Sequence, residues 1–337
     1  MKRVYIIAEV GVNHNGSVDL AVELISKAKE AGADCVKFQT FTAEQIVTQT
    51  SPKANYQLLV TDTNESQFEM LKKVELKMGH YPVLLSHSKK NEIDFMSTPY
   101  NLKDIDFLDS LEINSFKIAS GQLTEIPFLK YAARKMKKMI ISTGMANMSD
   151  VFLAVQAIRD EGNDDIVVLQ CTTNYPSKIE DANLLAMNSI KIACDVEVGY
   201  SDHVSNNFAC FAAVALGASV VEKHFTLDKN MDGPDHLSSL NPGEFAELVD
   251  GIRNIEKALG SCVKRPSQAE IDNSYGMKRS LVIIKPTPKG TVITEEMIGF
   301  KRPFNGLNVN MLSMVLGKKL SKDMQMDEAL QLNSIVW

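Results

Sequence analysis

The sequence has no excess of basic residues. Its 36 lysines and arginines stand against 42 acidic residues, for a formal charge of −6 and a pI near 5.6. That balance argues against a general nucleic-acid or membrane-surface protein. It leaves room for a local basic pocket that takes an anionic small molecule. Cysteine is scarce: there are five, an odd count, with no C-x-x-C pair. A disulfide framework and a structural zinc site are therefore not expected, and a reducing compartment fits. No apolar run reaches transmembrane length. The opening MKRVYIIAEVG is too short for a secretory core and is interrupted by Glu9. These absences read as a soluble, cytoplasmic chain with neither nucleic acid nor membrane as partner. A G-x-G-x-x-G phosphate loop is also missing: the first strand runs into EVGVNHNGS.

What is present is an alternation. With 45% hydrophobic residues over 337 positions, the chain can bury the core of one large domain, or of one large and one small. Over the first 260 residues, short β-branched runs alternate with longer stretches of helical periodicity. The expected strands cover residues 4–10, 34–40, 94–98, 115–120, 138–144, 166–172, 196–201 and 219–225. Helical segments lie between them, for example 17–33 with Ser17 as N-cap and Gly32 as stop, 65–76, and 241–260. Eight strand–helix units predict an α/β protein with a (β/α)8 TIM barrel. A doubly wound open sheet is the alternative, but it wants the missing glycine-rich loop.

Past residue 260 the pattern changes. Residues 261–278 are polar, without a strand signal, and read as a linker. Residues 279–337 alternate short β runs with Pro and Gly turns, a small β-rich domain.

Barrel enzymes work at the C-terminal ends of their strands. Here those ends offer Glu9, Lys37 with Gln39, Thr98, Lys117 with Ser120, Ser142 with Thr143, Thr172 with Thr173, His203 and His224. Lysines among apolar neighbours, as in CVKFQ and SFKIAS, are costly to bury alone and suit a phosphate or carboxylate; otherwise they face solvent on half-exposed strands. Two of the six histidines end neighbouring strands, His203 in SDH and His224 in EKHF. Two imidazoles converging on one point bind a divalent metal and leave positions open for substrate; satisfied by local hydrogen bonds, they would do neither. Asp202 and Glu222 stand beside them to ligate or orient. The segment MDGPDH (231–236) is either an ordinary turn or a lid that brings Asp235 and His236 over the site.

The segments AEVGVNHNGS, VKFQTF, STPY, FKIASGQ, STGMA, GYSDH, EKHFTLDK and GPDH resemble the sialic acid synthase family, the phosphoenolpyruvate-condensing synthases of nonulosonic acids. KRPFNG resembles that family's C-terminal antifreeze-like SAF domain. The resemblance runs from residue 4 to about 330. It implies a transferase that condenses phosphoenolpyruvate with an N-acylated hexosamine and releases phosphate. The sugar is typically N-acetylmannosamine, which would make the activity N-acetylneuraminate synthase. It implies a divalent metal on His203 and His224, most often Mn2+, with Mg2+ or Co2+ as substitutes. It implies a phosphoenolpyruvate pocket of Lys37, Thr98, Lys117, Ser120 and Ser142, with Glu9 near the metal and the reacting carbons. Gln39, Tyr175 and Asp235 join the substrate-binding set. It also implies a domain-swapped homodimer in which Arg302 reaches the N-acyl group bound in the partner's barrel.

Two positions depart from the pattern. Gln122 stands where many members have Glu at the sugar, and Thr173 where some have Asn at the phosphate. The first puts the sugar in question, so N,N'-diacetyllegionaminate synthase, acting on 2,4-diacetamido-2,4,6-trideoxymannose, is the runner-up. The second still donates a hydrogen bond. A carbohydrate-binding or structural protein with an inactive barrel is the reading from a different class; it would bind neither phosphoenolpyruvate nor Mn2+.

Overall fold

The computed structural model describes residues 3–62 and 64–337. Two compact units divide between Gly260 and Ser261. The first is a closed parallel barrel of eight strands in sequence order. They are β1 (Tyr5–Gly11), β2 (Cys35–Thr40), β3 (Asp94–Pro99), β4 (Ser115–Ile118), β5 (Lys138–Ser142), β6 (Ile166–Cys171), β7 (Glu197–Asp202) and β8 (Val220–His224). β8 closes on β1, with Glu9 opposite both His224 and Lys37. The fold of this unit is therefore the expected TIM barrel, whose sheet closes on itself without an open edge.

Eight helices return the chain between strands and after the last: α1 (Val18–Glu30), α2 (Tyr81–Lys90), α3 (Leu102–Ser110), α4 (Ile126–Ala133), α5 (Met148–Arg159), α6 (Ala186–Cys194), α7 (Phe208–Ala215) and α8 (Pro242–Leu259). Local chemistry starts and stops them. The Ser17 hydroxyl accepts from Leu20 N at 3.3 Å, and Gly32 follows α1 in the left-handed region, φ +88°. Asn101, Asn147 and Asn241 each form capping boxes with the acid three residues on. In α1, Ala21, Leu24, Ile25 and Ala28 are the buried face, at helical spacing.

Strand alternation sorts side chains into two cores. Residues such as Ile6, Ala8, Val36 and Phe38 point outward and pack under the helices. Ile7, Cys35, Met96, Ile140, Val167, Leu169 and Val220 point inward and fill the lower barrel. One step up each strand, the inward positions become polar: Glu9, Lys37, Lys117, Ser142, Ser201 and Glu222, all buried. The same alternation sends Asp202 and Lys223 outward. Their ion pair, 2.6 Å long, lies wholly buried under the helices, and Tyr200 OH donates to Asp202 Oδ1 at 2.9 Å. Asp202 is thus no candidate ligand. Gly199 in β7 is required by close approach, since a Cβ there would meet Val220 O at 2.4 Å.

The second unit has its own core of Leu281, Ile283, Ile293, Leu307, Val315, Leu320, Met324, Leu330 and Ile335. Strands β9 (Ser280–Ile283) and β10 (Ile298–Lys301) pair antiparallel, as do β11 (Lys319–Leu320) and β12 (Ile335–Val336). The stretch read as a linker carries a ten-residue helix, α9 (Gln268–Met277). Ser267 and Glu270 cap it reciprocally, but none of its residues is buried, so hydrophobic periodicity gave no sign of it.

Candidate active site

A cavity of about 380 Å3 opens at the C-terminal mouth of the barrel. The candidate site residues read in the barrel sequence line it, except Thr143, Thr172, Asp202 and His236; Arg302 lies in the second unit.

Four buried charges form its floor. Lys37 Nζ lies 2.9 Å from Glu9 Oε2 and 3.6 Å from Glu222 Oε2. Lys117 Nζ lies 3.4 Å from Glu222 Oε1 and donates to Ser142 Oγ at 2.7 Å. Lys37 also donates to Thr98 Oγ1 at 3.3 Å, and Ser201 Oγ to Glu222 Oε1 at 2.9 Å. The lysines are therefore buried and paired, not solvent-facing. The balance is uneven. Against the cost of burial, Lys117 and Lys37 pull the Glu222 carboxyl down to about 2. Burial and the neighbouring Glu222 push Glu9 up, although Lys37 works the other way. Burial lowers Lys117, while Glu222 and Glu9 raise Lys37 in spite of burial.

Beside the lysines is a set of donors. Gly144 N donates to Ser120 Oγ at 3.0 Å. A Cβ on Gly144 would fall 2.0 Å from Thr173 Oγ1 and 2.8 Å from Ser120 Oγ, so only glycine lets these hydroxyls converge. Gln39 Nε2 donates to Glu9 Oε1 at 3.1 Å and Tyr100 OH to Gln39 Oε1 at 3.2 Å. Gln122 is buried with neither amide atom hydrogen-bonded, a group left for a ligand.

The histidines face each other across the mouth, ring centroids 5.4 Å apart. β7 ends at Asp202, so His203 is the first residue beyond the strand. Its Nδ1 donates to Thr172 O at 2.7 Å, which leaves the Nε2 lone pair for another partner. Burial disfavours its charged form, but Cys171, with Sγ 3.9 Å from Nδ1, draws the ring's pKa upward. His224 Nδ1 is buried without a hydrogen bond, and burial, then His203 and Lys37, hold this ring well below its usual pKa, hence neutral. Both rings fit a divalent cation by donor chemistry. Among the described residues no cluster of three His, Cys, Asp or Glu side chains is arranged to hold one. The protein would thus supply two ligands. Asp235 Oδ2 lies 4.0 Å from His224 Nδ1, and burial, with Glu9 nearby, pushes its carboxyl up to about 6. The lid reading holds for Asp235 only. His236 turns away, bonded to Thr226 Oγ1 at 2.6 Å and Asn15 Oδ1 at 3.2 Å.

Sequence reasoning weighed Glu222 only as a ligand or orienter and missed Cys171, Ser201, Tyr100, Tyr56 and Gly144. For Cys171 and Ser201 the signal was available, since both sit at inward positions of their strands. For the loop residues nothing in the spacing marks them.

The fold and the polar barrel mouth define a (β/α)8-barrel enzyme. The chain belongs to the NeuB family, whose model matches residues 24–264, and a SAF-domain model matches residues 278–336. These are phosphoenolpyruvate-condensing nonulosonic acid synthases, and the chain is an enzyme of that kind. It is 44% identical to N,N'-diacetyllegionaminic acid synthase of Campylobacter jejuni, over 98% of this chain and 100% of that one. To the Legionella pneumophila protein of the same name it is 42% identical, over 95% of this chain and 91% of that one. Among solved structures it resembles N-acetylneuraminic acid (sialic acid) synthetase from Leptospira borgpetersenii, with TM-score 0.72 and 31% identity, covering 81% of this chain and 90% of that one. No helix among the described residues is long and apolar enough to cross a membrane.

If the lysine floor is an anion site, Lys117→Met removes one charge-assisted bond and weakens inorganic phosphate binding about ten- to a hundredfold. Titration calorimetry reads this directly, and an unchanged Kd would contradict the assignment.

Proposed function

We propose that this enzyme condenses phosphoenolpyruvate with an N-acylated hexosamine and water, giving a nonulosonic acid and phosphate. One observation carries the reading: two buried lysines with converging hydroxyls share a single cavity with two histidines from adjacent strands. Lys37 and Lys117 take the anionic groups of phosphoenolpyruvate, with Thr98, Ser120, Ser142 and Thr173 donating. The same lysines stabilise the phosphate as its C–O bond breaks. Glu9, held above the ordinary carboxylate range by burial and Glu222, is suited to exchange a proton near the reacting carbons. Asp235 and Gln122 orient the sugar, and Gln39 fixes the Glu9 carboxylate. His203 and His224 would hold the divalent metal, most often Mn2+ in such enzymes, which when bound polarises the sugar aldehyde as a Lewis acid.

For the sugar we place 2,4-diacetamido-2,4,6-trideoxymannose first. The sequence alone put N-acetylmannosamine ahead. The order changes because the two relatives at 44% and 42% identity are both named diacetyllegionaminic acid synthases. Gln122 is neutral, and Val12, Ile46, Val47, Met70 and Leu71 give the cavity an apolar side suited to a methyl group. N-acetylmannosamine stays the second reading, supported by the likeness to the Leptospira synthetase. Assaying both sugars with phosphoenolpyruvate, in Mn2+, Mg2+ and Co2+, and weighing the products by mass spectrometry decides between them. A sugar hydroxyl set against an apolar wall costs on the order of ten- to a hundredfold in kcat/KM. The trideoxy sugar should lead by that margin; a lead for N-acetylmannosamine reverses the assignment.

We further propose a homodimer in which Arg302 of one chain reaches the N-acyl group in the other chain's barrel. Supporting this, Ser280 fixes the segment that follows Arg302: its Oγ donates to Pro303 O and accepts from Asn305 N and Gly306 N, each at 3.0 Å. In a two-fold dimer each site then draws on both chains. Mixing inactive Arg302→Ala and His203→Ala proteins should restore part of the activity. A mixture that stays inactive after verified subunit exchange contradicts the shared site.

A further inference from the structure

The segment joining β2 to α2 also brings Tyr56 to the cavity, a side chain that no step above has used. It is built before any ligand arrives. Lys53 is buried within the loop's own turn, its ammonium bonded to Thr61 Oγ1 at 2.9 Å, Asp62 O at 2.5 Å and Glu65 Oε1 at 2.9 Å. Gln57 Oε1 accepts from Ala54 N at 3.0 Å and from Gln67 Nε2 at 3.2 Å, and Thr61 Oγ1 donates to Gln57 O at 2.6 Å. All three lysine donors are satisfied locally, so the loop spends none of them on substrate.

This scaffold presents Tyr56. Its ring packs on Tyr175 with centroids 4.7 Å apart. Tyr175 in turn packs on His203 at 4.0 Å and stands edge-on to His224 at 5.6 Å. The four rings form a continuous aromatic wall from the loop to the two histidines, and Tyr56 and Tyr175 both line the cavity. Asp235 Oδ2 lies 4.0 Å from Nδ1 of His224, the ring that Tyr175 meets edge-on, so the wall borders the Asp235 side of the cavity. Burial, Asp235 and Tyr100 push the Tyr56 phenol up, so it stays protonated. A phosphate would be repelled there by the Asp235 carboxylate, whereas a neutral sugar would not. An aromatic face offers carbon-bound hydrogens good contact but gives a hydroxyl no partner equal to water.

We propose that Tyr56 is a specificity-determining residue for the sugar, its ring selecting a deoxygenated hexosamine over a hydroxylated one. This rests on the condensation reading given under Proposed function. The loop's internal bonds hold the ring in place in advance, so little ordering is needed when sugar binds.

Steady-state kinetics on the full-length metal-loaded enzyme test it. Tyr56→Ala should raise the KM for the trideoxy sugar roughly three- to tenfold and cut the preference over N-acetylmannosamine by a similar factor, leaving the phosphoenolpyruvate KM within about twofold. Tyr56→Phe should restore both values, because the ring and not the hydroxyl carries the effect. Should Ala disturb the loop, as seen by a lowered Tm, Tyr56→Gln fills much of the space, gives a hydroxyl a partner and should show the same loss of preference. An unchanged sugar preference in Tyr56→Ala or Tyr56→Gln, or equal rises in both KM values, overturns the assignment of Tyr56 alone. A wild-type enzyme that consumes no phosphoenolpyruvate with either sugar overturns the condensation reading and this proposal together.

Discussion

Lys37 and Lys117 cannot be carried into a closed barrel without anionic partners, and that constraint shapes the rest of the site. Burying an isolated ammonium costs several kcal/mol even after relaxation. Glu222 bridges the two lysines and Glu9 takes the free side of Lys37. With two cations and two carboxylates the floor is close to neutral and can exist without ligand. Yet the compensation is incomplete. Burial still depresses Lys117 and raises Glu9, so these two lean toward their uncharged forms. Such a site is poised for an anion, whose charge restores the Lys117 ammonium that burial disfavours.

Geometry divides the cavity around that floor. The lysines, with Ser120, Ser142 and Thr98, make a half rich in ammonium and hydroxyl donors. His203, His224, Asp235 and the Tyr175–Tyr56 rings make an aromatic, carboxylate-bearing half. A small anionic reactant and a neutral sugar are thus sorted by donor groups on one side and by rings and a carboxylate on the other. Rigid elements supply most of the positioning: strand ends for the charges, a close-packed glycine at Gly144 for the hydroxyls, and an internally bonded loop for Tyr56.

Much of this was legible in the sequence, because a parallel barrel imposes period-two order on its strands. Each strand was placed to within two residues at either end, and the polar residues at their C-terminal ends came together as the barrel rule requires. The failures have physical causes. Asp202 neighbours His203 in sequence, but it sits on an outward position and is consumed by Lys223. Helix α9 has no buried face, so composition made it look like a linker. His236 is taken by Thr226 and Asn15, contacts that no local pattern announces. Tyr56 depends on a loop held by its own side-chain bonds, whose path follows from tertiary contacts alone.

The most direct test of the account is whether the enzyme takes up protons when phosphoenolpyruvate binds. Calorimetric titrations at pH 8, where the ligand itself is fully deprotonated, would be compared in buffers of different ionisation enthalpy. An incoming anion raises the pKa of every group around it, and the groups that burial has biased toward neutrality, Lys117 downward and Glu9 upward, would both respond by gaining protons. The account predicts a positive slope of observed enthalpy against buffer ionisation enthalpy, reduced in Lys117→Met. A zero or negative slope would contradict it.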